Sequence, residues 1–282
     1  MPIDKMEPYW DLIKRIIHES DIVLEILDAR FLQYSRNEVV EQLIKQEGRP
    51  IIFVVNKSDL TSKKILKQEV EKLMQEHPQA GVVFVSIKNK KTIRLLLSVI
   101  NQMFSVHGKR EPDIIKPGEK KLEFRQAKAD IVVGVVGYPN VGKSSIINAL
   151  AHKKKAPVSK KAGTTHGIHW IKASETIKLI DSPGVIPLQK DDEIRYGLIA
   201  ARDAQNLRNP PVVADALIQL FLKNNKKQFE KYYNITIENE DFDSIIEQIA
   251  RKRGYLLKGG VADEYRTSIL IVQDWQHGKL RL

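Results

Sequence analysis

The sequence predicts an α/β protein with a mostly parallel six-stranded sheet and a smaller α-helical domain at its C-terminal end. Three observations support this fold class. Short runs rich in valine and isoleucine alternate with helical patterns, a glycine-rich loop follows one of these runs and opens a helix, and only helical periodicity remains beyond about Arg202. Such alternation is typical of parallel sheets that carry helices on both faces.

Six short runs have the β-branched, apolar composition of strands that are buried on both faces. They span residues 21–28, 50–55, 81–86, 130–136, 168–173 and 176–181. The apolar spacing between and after them predicts helices at residues 37–46, 62–76, 92–104, 143–153 and 191–202. The first four runs are each followed by a helix, as in parallel βαβ units.

The chain divides into two predicted domains. Residues 1–202 form the sheet-containing domain, and residues 203–282 form the helical domain, with Asn209-Pro210-Pro211 near its start. Residues 107–129 are polar and lack a period, so we expect them to connect elements over the surface of the first domain. A chain of 282 residues is long enough for each domain to bury a core.

Composition restricts the class of protein. The chain carries 46 lysines and arginines against 35 acidic residues, a formal charge of +11 that favours a polyanionic partner such as nucleic acid. Cysteine is absent, which excludes disulfides and thiolate metal sites and fits a reducing compartment. We find no secretion signal and no apolar stretch of the about 20 residues that span a membrane. We therefore expect a cytoplasmic protein without a membrane partner.

The strongest motif is the glycine-rich loop at residues 137–144, Gly-Tyr-Pro-Asn-Val-Gly-Lys-Ser. A loop of this type directs successive backbone N–H groups at a diphosphate, and the helix that begins there adds a favourable dipole. Lys143 would reach the β- and γ-phosphates, and Ser144 would hold Mg²⁺. The residues assigned to this phosphate site are Asn140, Val141, Gly142, Lys143, Ser144 and Ser145.

A second motif, Asn56-Lys57-Ser58-Asp59, indicates guanine. Asp59 would accept hydrogen bonds from N1–H and the exocyclic amine of guanine, whereas adenine would leave this carboxylate unpaired. Asn56 would orient the loop and meet the purine, and Lys57 would lie along the base. The motif directly follows a predicted strand, at the edge where open parallel sheets bind ligands.

The end of the next predicted strand would add to the guanine site. There Ser86, Ile87 and Lys88 would offer backbone N–H to the purine carbonyl. Further along the chain, residues 181–184 read Asp-Ser-Pro-Gly and end the second strand after the phosphate loop. In that position Asp181 would bind Mg²⁺ through water, and the N–H of Gly184 would face the γ-phosphate.

Residues 162–165, Ala-Gly-Thr-Thr, are a candidate first switch. Thr165 would complete the metal shell when GTP is bound, with the neighbouring Thr164 as the alternative. Val185 stands where Ras-like enzymes carry the glutamine that orients the attacking water. We therefore expect slow intrinsic hydrolysis, and the hydrolytic base is unassigned.

The motifs occur in reversed order, because an ordinary GTPase has the phosphate loop before the guanine motif. In this order they resemble the circularly permuted GTPases of the YlqF/YawG type, and Asp28-Ala29-Arg30 matches a further motif of that family. Residues 253–260 resemble the family's C-terminal helical domain. The resemblance implies a P-loop GTPase domain with a circularly permuted sheet, followed by the smaller helical domain.

The resemblance also implies a function in assembly of the large ribosomal subunit. Family members bind ribosomal RNA and hydrolyse GTP to GDP and phosphate, so the implied cofactors are GTP, GDP and Mg²⁺. The implied partners are the large ribosomal subunit and its rRNA, with a contact through residues 203–282 and no DNA. In relatives, Asn140 of this loop is associated with K⁺, which implies stimulation by K⁺ as well as by the ribosome. The residues implied in catalysis are Lys143, Asn140, Gly184 and Thr165.

Other interpretations are compatible with the sequence. The motifs also fit a GTP-regulated RNA- or protein-binding module with negligible turnover, or an ATPase or kinase in which the guanine motif is accidental. Residues 151–173 contain six lysines and no acidic residue. RNA phosphates bound there would influence the adjacent switch, although lysine runs are usually solvated faces without a partner.

Overall fold

The computed structural model describes residues 7–109, 131–151, 169–182 and 192–282. Within them lies a six-stranded sheet in the order β3-β2-β1-β4-β6-β5. Strand β5 runs antiparallel to β6, and all other neighbours are parallel. This confirms the predicted mostly parallel sheet. The strands are β1 (Ile22–Asp28), β2 (Ile51–Asn56), β3 (Gly81–Phe84), β4 (Ile131–Val136), β5 (His169–Lys172) and β6 (Ile177–Asp181).

Helices follow the strands much as the apolar spacing predicts. Several begin at a side chain that accepts a hydrogen bond from the first turn, as Asn37, Asp241 and Asp263 do. The helices are α1 (Glu7–Glu19), α2 (Leu32–Ser35), α3 (Glu38–Gln46), α4 (Lys63–Glu76), α5 (Lys90–His107), α6 (Lys143–Leu150), α7 (Glu193–Leu198), α8 (Pro210–Tyr233), α9 (Phe242–Arg253) and α10 (Glu264–Gln276).

Helix α1 is an element that the sequence analysis does not predict. Its residues Ile13, Ile16 and Ile17 are buried and pack in one cluster with Val132 and Val136 of β4. The apolar residues of α1 fall at helical spacing, which is the signal that would have identified it.

Apolar cores lie on both faces of the sheet. Helices α5 and α6 cover one face, and α1, α3 and α4 cover the other. A further core lies among α8, α9 and α10, where Phe221, Phe229 and Trp275 are fully buried. Leu198 of α7 belongs to this helical core. Phe31 packs against both the helical core and the core between the sheet and helices α5 and α6. The predicted division of the chain at residues 202 and 203 stays a prediction.

The end of α10 and the residues after it lie against the sheet-containing region. The indole N–H of Trp275 donates to the Leu198 carbonyl at 2.7 Å. The backbone N–H of Leu282 donates to the carbonyl of Leu60 at 3.2 Å. Leu60 directly follows the predicted guanine motif, so the helical region reaches the immediate neighbourhood of that motif.

Most of the predicted connecting segment lies outside the described residues. Helix α5 extends to His107, three residues beyond its predicted end, and the description resumes at Ile131. Over the ranges that the structure covers, no helix has both the length and the apolar character needed to cross a membrane.

Candidate nucleotide-binding site

Four neighbouring strands bring the predicted motifs to one edge of the sheet. Strand β1 ends at Asp28, β2 at Asn56 and β6 at Asp181, while the phosphate loop follows β4. In the sheet these strands are adjacent in the order β2-β1-β4-β6. The carboxyl ends of parallel strands are where open α/β sheets bind ligands. Motifs that are far apart in the sequence therefore converge here.

The guanine motif and the phosphate loop are in direct contact. The side-chain amide of Asn56 donates to the Val141 carbonyl at 2.8 Å. The ammonium group of Lys57 donates to the Asn140 carbonyl at 2.9 Å. Residues that are 85 and 83 positions apart in the sequence thus meet at this edge of the sheet.

Glycine is required at two positions of the phosphate loop. Gly137 has φ = 140°, and a Cβ there would lie 2.7 Å from the Ile26 carbonyl oxygen. Gly142 has φ = 105°, and a Cβ there would overlap the side-chain nitrogen of Asn56. Both positions combine a backbone that L-residues rarely adopt with a lack of space. The lack of a side chain therefore lets Gly137 lie against the backbone of β1 and lets Gly142 lie against Asn56 of the guanine motif.

Lys143, the first residue of α6, is buried within the phosphate loop. Its ammonium group donates to the carbonyls of Gly137 at 2.9 Å and Tyr138 at 2.8 Å. Burial lowers the pKa of Lys143 to about 8, while the negative charge of Asp181 acts in the opposite direction. A desolvated ammonium group held by neutral carbonyls fits a loop that takes an anionic ligand such as a diphosphate.

Asp59 is held at the predicted base-binding position by two side chains from the end of β3. Its carboxylate accepts from the Ser86 hydroxyl at 2.9 Å and from the Lys88 ammonium group at 2.9 Å. Burial opposes ionisation, but these two hydrogen bonds outweigh it and lower the pKa of Asp59. The side chain is 31% exposed, so a ligand can reach it. The side chains of Ser86 and Lys88 thus hold the carboxylate, and the predicted backbone contacts of Ser86, Ile87 and Lys88 to the purine stay a prediction.

One buried acceptor at the site fits a ligand. Among the described residues, the side-chain oxygen of Asn56 has no hydrogen-bond partner, although the residue is only 3% exposed. Buried polar atoms in native proteins are nearly always paired. The donor set also fits Mg²⁺, since Ser144 is the second residue of α6, next to Lys143, and Asp181 is buried at the end of β6.

Asn140 has a strained backbone and an engaged side chain. Its φ is +58°, in the left-handed region, and its amide donates to the Ala200 carbonyl at 2.9 Å. The phosphate loop is therefore tied to the segment after α7. The K⁺ site predicted at Asn140 stays a prediction.

This chain is similar to several known proteins. A protein-family model described as a 50S ribosome-binding GTPase matches residues 132–253. An uncharacterized GTP-binding protein of Methanocaldococcus jannaschii is 34% identical over 276 residues, which cover 98% of this chain and 67% of that protein. Nucleolar GTP-binding protein 2 of Yarrowia lipolytica is 32% identical over 274 residues, 96% of this chain and 49% of that one. The GDP-bound structure of T. maritima YlqF superposes with a TM-score of 0.62 at 23% identity, covering 95% of this chain and 94% of that one.

The chain belongs to the YlqF/YawG-type family of circularly permuted GTPases. This confirms the resemblance drawn from the motif order. The fold of this permuted GTPase agrees with the YlqF match, which covers both the sheet and the helical C-terminal region. The chain spans about two thirds of the archaeal relative and about half of the yeast relative.

Several predicted functional residues of this permuted GTPase lie outside the described residues. They are Thr164 and Thr165 of the candidate first switch, Gly184 and Val185 after β6, and the five lysines at positions 153, 154, 155, 160 and 161. Their roles stay predictions.

The structure also reveals a functional candidate without a role in the sequence analysis. Asp28 and Arg30 belong to a family motif, but the sequence did not show what they contact. Both are buried, and Lys57 donates to Asp28 at 2.7 Å. A signal was available, since Asp28 and Arg30 stand two residues apart at the end of a predicted buried strand, where opposite charges would not be buried unpaired.

Proposed function

We propose that this protein is a GTP-hydrolysing switch that acts in assembly of the large ribosomal subunit and binds ribosomal RNA. The observation that carries the proposal is the contact of Asn56 and Lys57 with the phosphate loop. It supports a single site for a guanine base and the phosphates attached to it. In an ATPase or kinase with an accidental guanine motif, we would not expect these residues to contact the phosphate loop.

In the proposed site, each group acts on one part of the ligand. Asp59, supported by Ser86 and Lys88, accepts from the guanine base, and Lys143 neutralises the β- and γ-phosphates. Ser144 and, through water, Asp181 would hold Mg²⁺, which would supply Lewis-acid polarisation of the phosphoryl group. We further assign the γ-phosphate contact and the switch to Gly184 and Thr165, with Ile87 and Ser145 contributing backbone and hydroxyl contacts.

Turnover is proposed to be slow and to be stimulated by K⁺. Val185 supplies no group that orients water, so the protein lacks one part of the Ras-like mechanism. Asn140 is the proposed K⁺ ligand, and the ion would add positive charge near the phosphates. The ribosome is the proposed second activator.

Two findings support a ribosomal partner. The family model is described as a 50S ribosome-binding GTPase, and a yeast relative is named a nucleolar GTP-binding protein. The formal charge of +11 favours a polyanion such as rRNA. A cytoplasmic location is proposed as well, and subcellular fractionation of the source cells tests it.

Competition between GTP and ATP tests the base specificity. The wild-type protein is expected to prefer GTP, and Asp59→Ala is expected to erase the preference because no carboxylate then pairs with guanine. Asp243→Ala, which removes an exposed carboxylate on α9, is the control and is expected to keep the preference. Equal binding of both nucleotides by the wild-type protein would refute the proposed site.

Cosedimentation with ribosomal subunits, in GDP and in a non-hydrolysable GTP analogue, tests the biological role. We expect nucleotide-dependent binding to the large subunit only. Turnover measured in KCl and in NaCl, with and without large-subunit RNA, separates the enzyme from the alternative module with negligible turnover. Faster hydrolysis with K⁺ or RNA supports the enzyme, and nucleotide-dependent binding without measurable turnover supports the module.

A further inference from the structure

Asp28 and Arg30 form a buried ion pair at the end of β1. The guanidinium of Arg30 donates through Nε to one Asp28 oxygen at 3.0 Å and through Nη2 to the other at 2.8 Å. The exposed fractions of the two side chains are 0% and 1%. Such a two-pronged pair fixes both distance and orientation.

The same carboxylate holds a residue of the guanine motif. Lys57 donates to Asp28 at 2.7 Å and, from the same nitrogen, to the Asn140 carbonyl of the phosphate loop. Lys57 also has φ = +58°, a left-handed conformation that is uncommon for lysine. The tether to Asp28 therefore stabilises the turn that carries Ser58 and Asp59.

Arg30 extends this network to the helical region. Its Nη1 donates to the backbone carbonyl of Trp275, and its guanidinium carbon lies 4.2 Å from the centre of the Trp275 ring. Trp275 lies in the last turn of α10 and is fully buried. One arginine thus joins the end of β1 to the end of α10.

Each charged group in this network depends on the others. Burial disfavours the charge on Asp28, but Arg30 and Lys57 outweigh burial and hold its pKa far below the ordinary value. Removing one partner of a buried pair leaves the other charge uncompensated. Lysine does not replace arginine here, because only the planar guanidinium both pairs with two oxygens and stacks on an aromatic ring.

We propose that Asp28 and Arg30 are positioning residues that connect guanine-nucleotide binding at Lys57 to the docking of α10. Neither residue touches the nucleotide. Asp28 acts through Lys57 and Arg30 acts through Asp28 and Trp275. This inference rests on the proposed assignment of the guanine motif.

The test compares the full-length wild-type protein with Asp28→Asn, which keeps the shape and removes the charge. The measurements are the dissociation constant of fluorescent GDP and hydrogen exchange of residues 264–276 with and without GDP. In the wild-type protein, GDP is expected to slow exchange in α10. In Asp28→Asn, GDP affinity is expected to fall roughly tenfold and the slowing is expected to disappear. With GTP, the loss is expected in KM rather than in kcat.

The chain offers a matched control in Arg36. This buried arginine pairs with both oxygens of Glu41, at 2.9 and 2.7 Å, and the other partners of its side chain, Gln33, Glu76 and His77, lie outside the phosphate loop and α10. Arg36→Gln is expected to lower stability while GDP affinity and the GDP-dependent protection of α10 remain. If Asp28→Asn does not fold, Arg30→Lys is measured instead. Lysine retains the positive charge, but it neither pairs with two carboxylate oxygens nor stacks on the ring of Trp275.

The outcomes separate this inference from the proposed function. A wild-type protein that does not bind GDP refutes the guanine site itself. A wild-type protein that binds GDP through Asp59, with Asp28→Asn and Arg30→Lys matching it in affinity and in α10 protection, refutes only the connection. Equal effects of Asp28→Asn and Arg36→Gln on both measurements also refute it, because general loss of stability then explains them.

Discussion

The protonation of Lys143 depends on what the phosphate loop binds. Burial lowers its pKa from 10.5 to about 8, while Asp181 partly opposes the shift. Without nucleotide, the unfolded chain therefore binds more protons than the folded protein between these two pH values. The contribution of Lys143 to the free energy of unfolding consequently rises with pH across that window.

Nucleotide binding is expected to show the opposite dependence on pH. A bound diphosphate stabilises the ammonium group, so the complex keeps a proton that the free protein loses above about pH 8. The affinity for GDP is therefore expected to fall by up to about tenfold per pH unit above that value. Titration with fluorescent GDP from about pH 7 to about pH 9 measures this effect.

Lys143→Met is the comparison for this titration. It is expected to bind GDP weakly, with no fall of affinity between pH 8 and 9. A wild-type affinity that is constant over the same range contradicts the proposed role of the Lys143 charge.

At the scale of elements, a single glycine sets the distance between helix α1 and strand β4. A Cβ on Gly134 would overlap the Ser20 hydroxyl and would lie 3.1 Å from a methyl group of Ile16. The Ser20 hydroxyl donates to the Ile16 carbonyl at 2.6 Å, so it cannot rotate away without losing that hydrogen bond. Helix α1 and strand β4 therefore lie so close together here that only glycine, which has a hydrogen atom in place of Cβ, fits at position 134.

Gly134→Ala is therefore expected to lower the free energy of unfolding by about 2 kcal/mol, the usual cost of overpacking. The double variant with Ser20→Ala removes the nearest atom and is expected to recover part of that loss. Gly81→Ala serves as the control, since a Cβ there would lie 3.2 Å from a methylene of Ile52 and from the terminal methyl of Met103, without the overlap found at Gly134. Urea unfolding measures all three. A loss no larger than that of Gly81→Ala would contradict the packing argument.

At the scale of the whole molecule, the basic charge is unevenly distributed. Residues 203–282 carry 12 basic and 11 acidic residues, so almost all of the net charge of +11 lies on residues 1–202. If RNA binding depends on where the positive charges lie rather than on the total charge, replacing lysines of residues 151–173 should weaken it.

Replacing Lys153, Lys154 and Lys155 by glutamine is expected to weaken RNA binding and to reduce the slope of log affinity against log salt by about 2. The matched control replaces Lys223, Lys227 and Lys231, which are exposed on α8, and removes the same charge. Its slope is expected to change by less than about 1. Filter binding to large-subunit rRNA at several salt concentrations measures both. Equal changes in the two variants would show that only total charge matters.

The sequence alone determined the strands, most helices and the identity of the motifs. Side-chain periodicity and loop chemistry act over a few neighbouring residues, so the valine-rich runs and the loop at 137–144 are legible without a structure. The reversed motif order was legible for the same reason, and it indicated the permuted family.

Only the tertiary structure decided which distant groups meet. The contact of Asn56 with Val141, the depressed pKa of Lys143 and the link from Asp28 through Arg30 to Trp275 all depend on strand order and burial. These quantities are set by residues far away in the chain, and no local pattern encodes their distances. The physical reason is that desolvation and hydrogen-bond geometry are properties of the packed molecule, whereas the period of a strand or helix belongs to the segment itself.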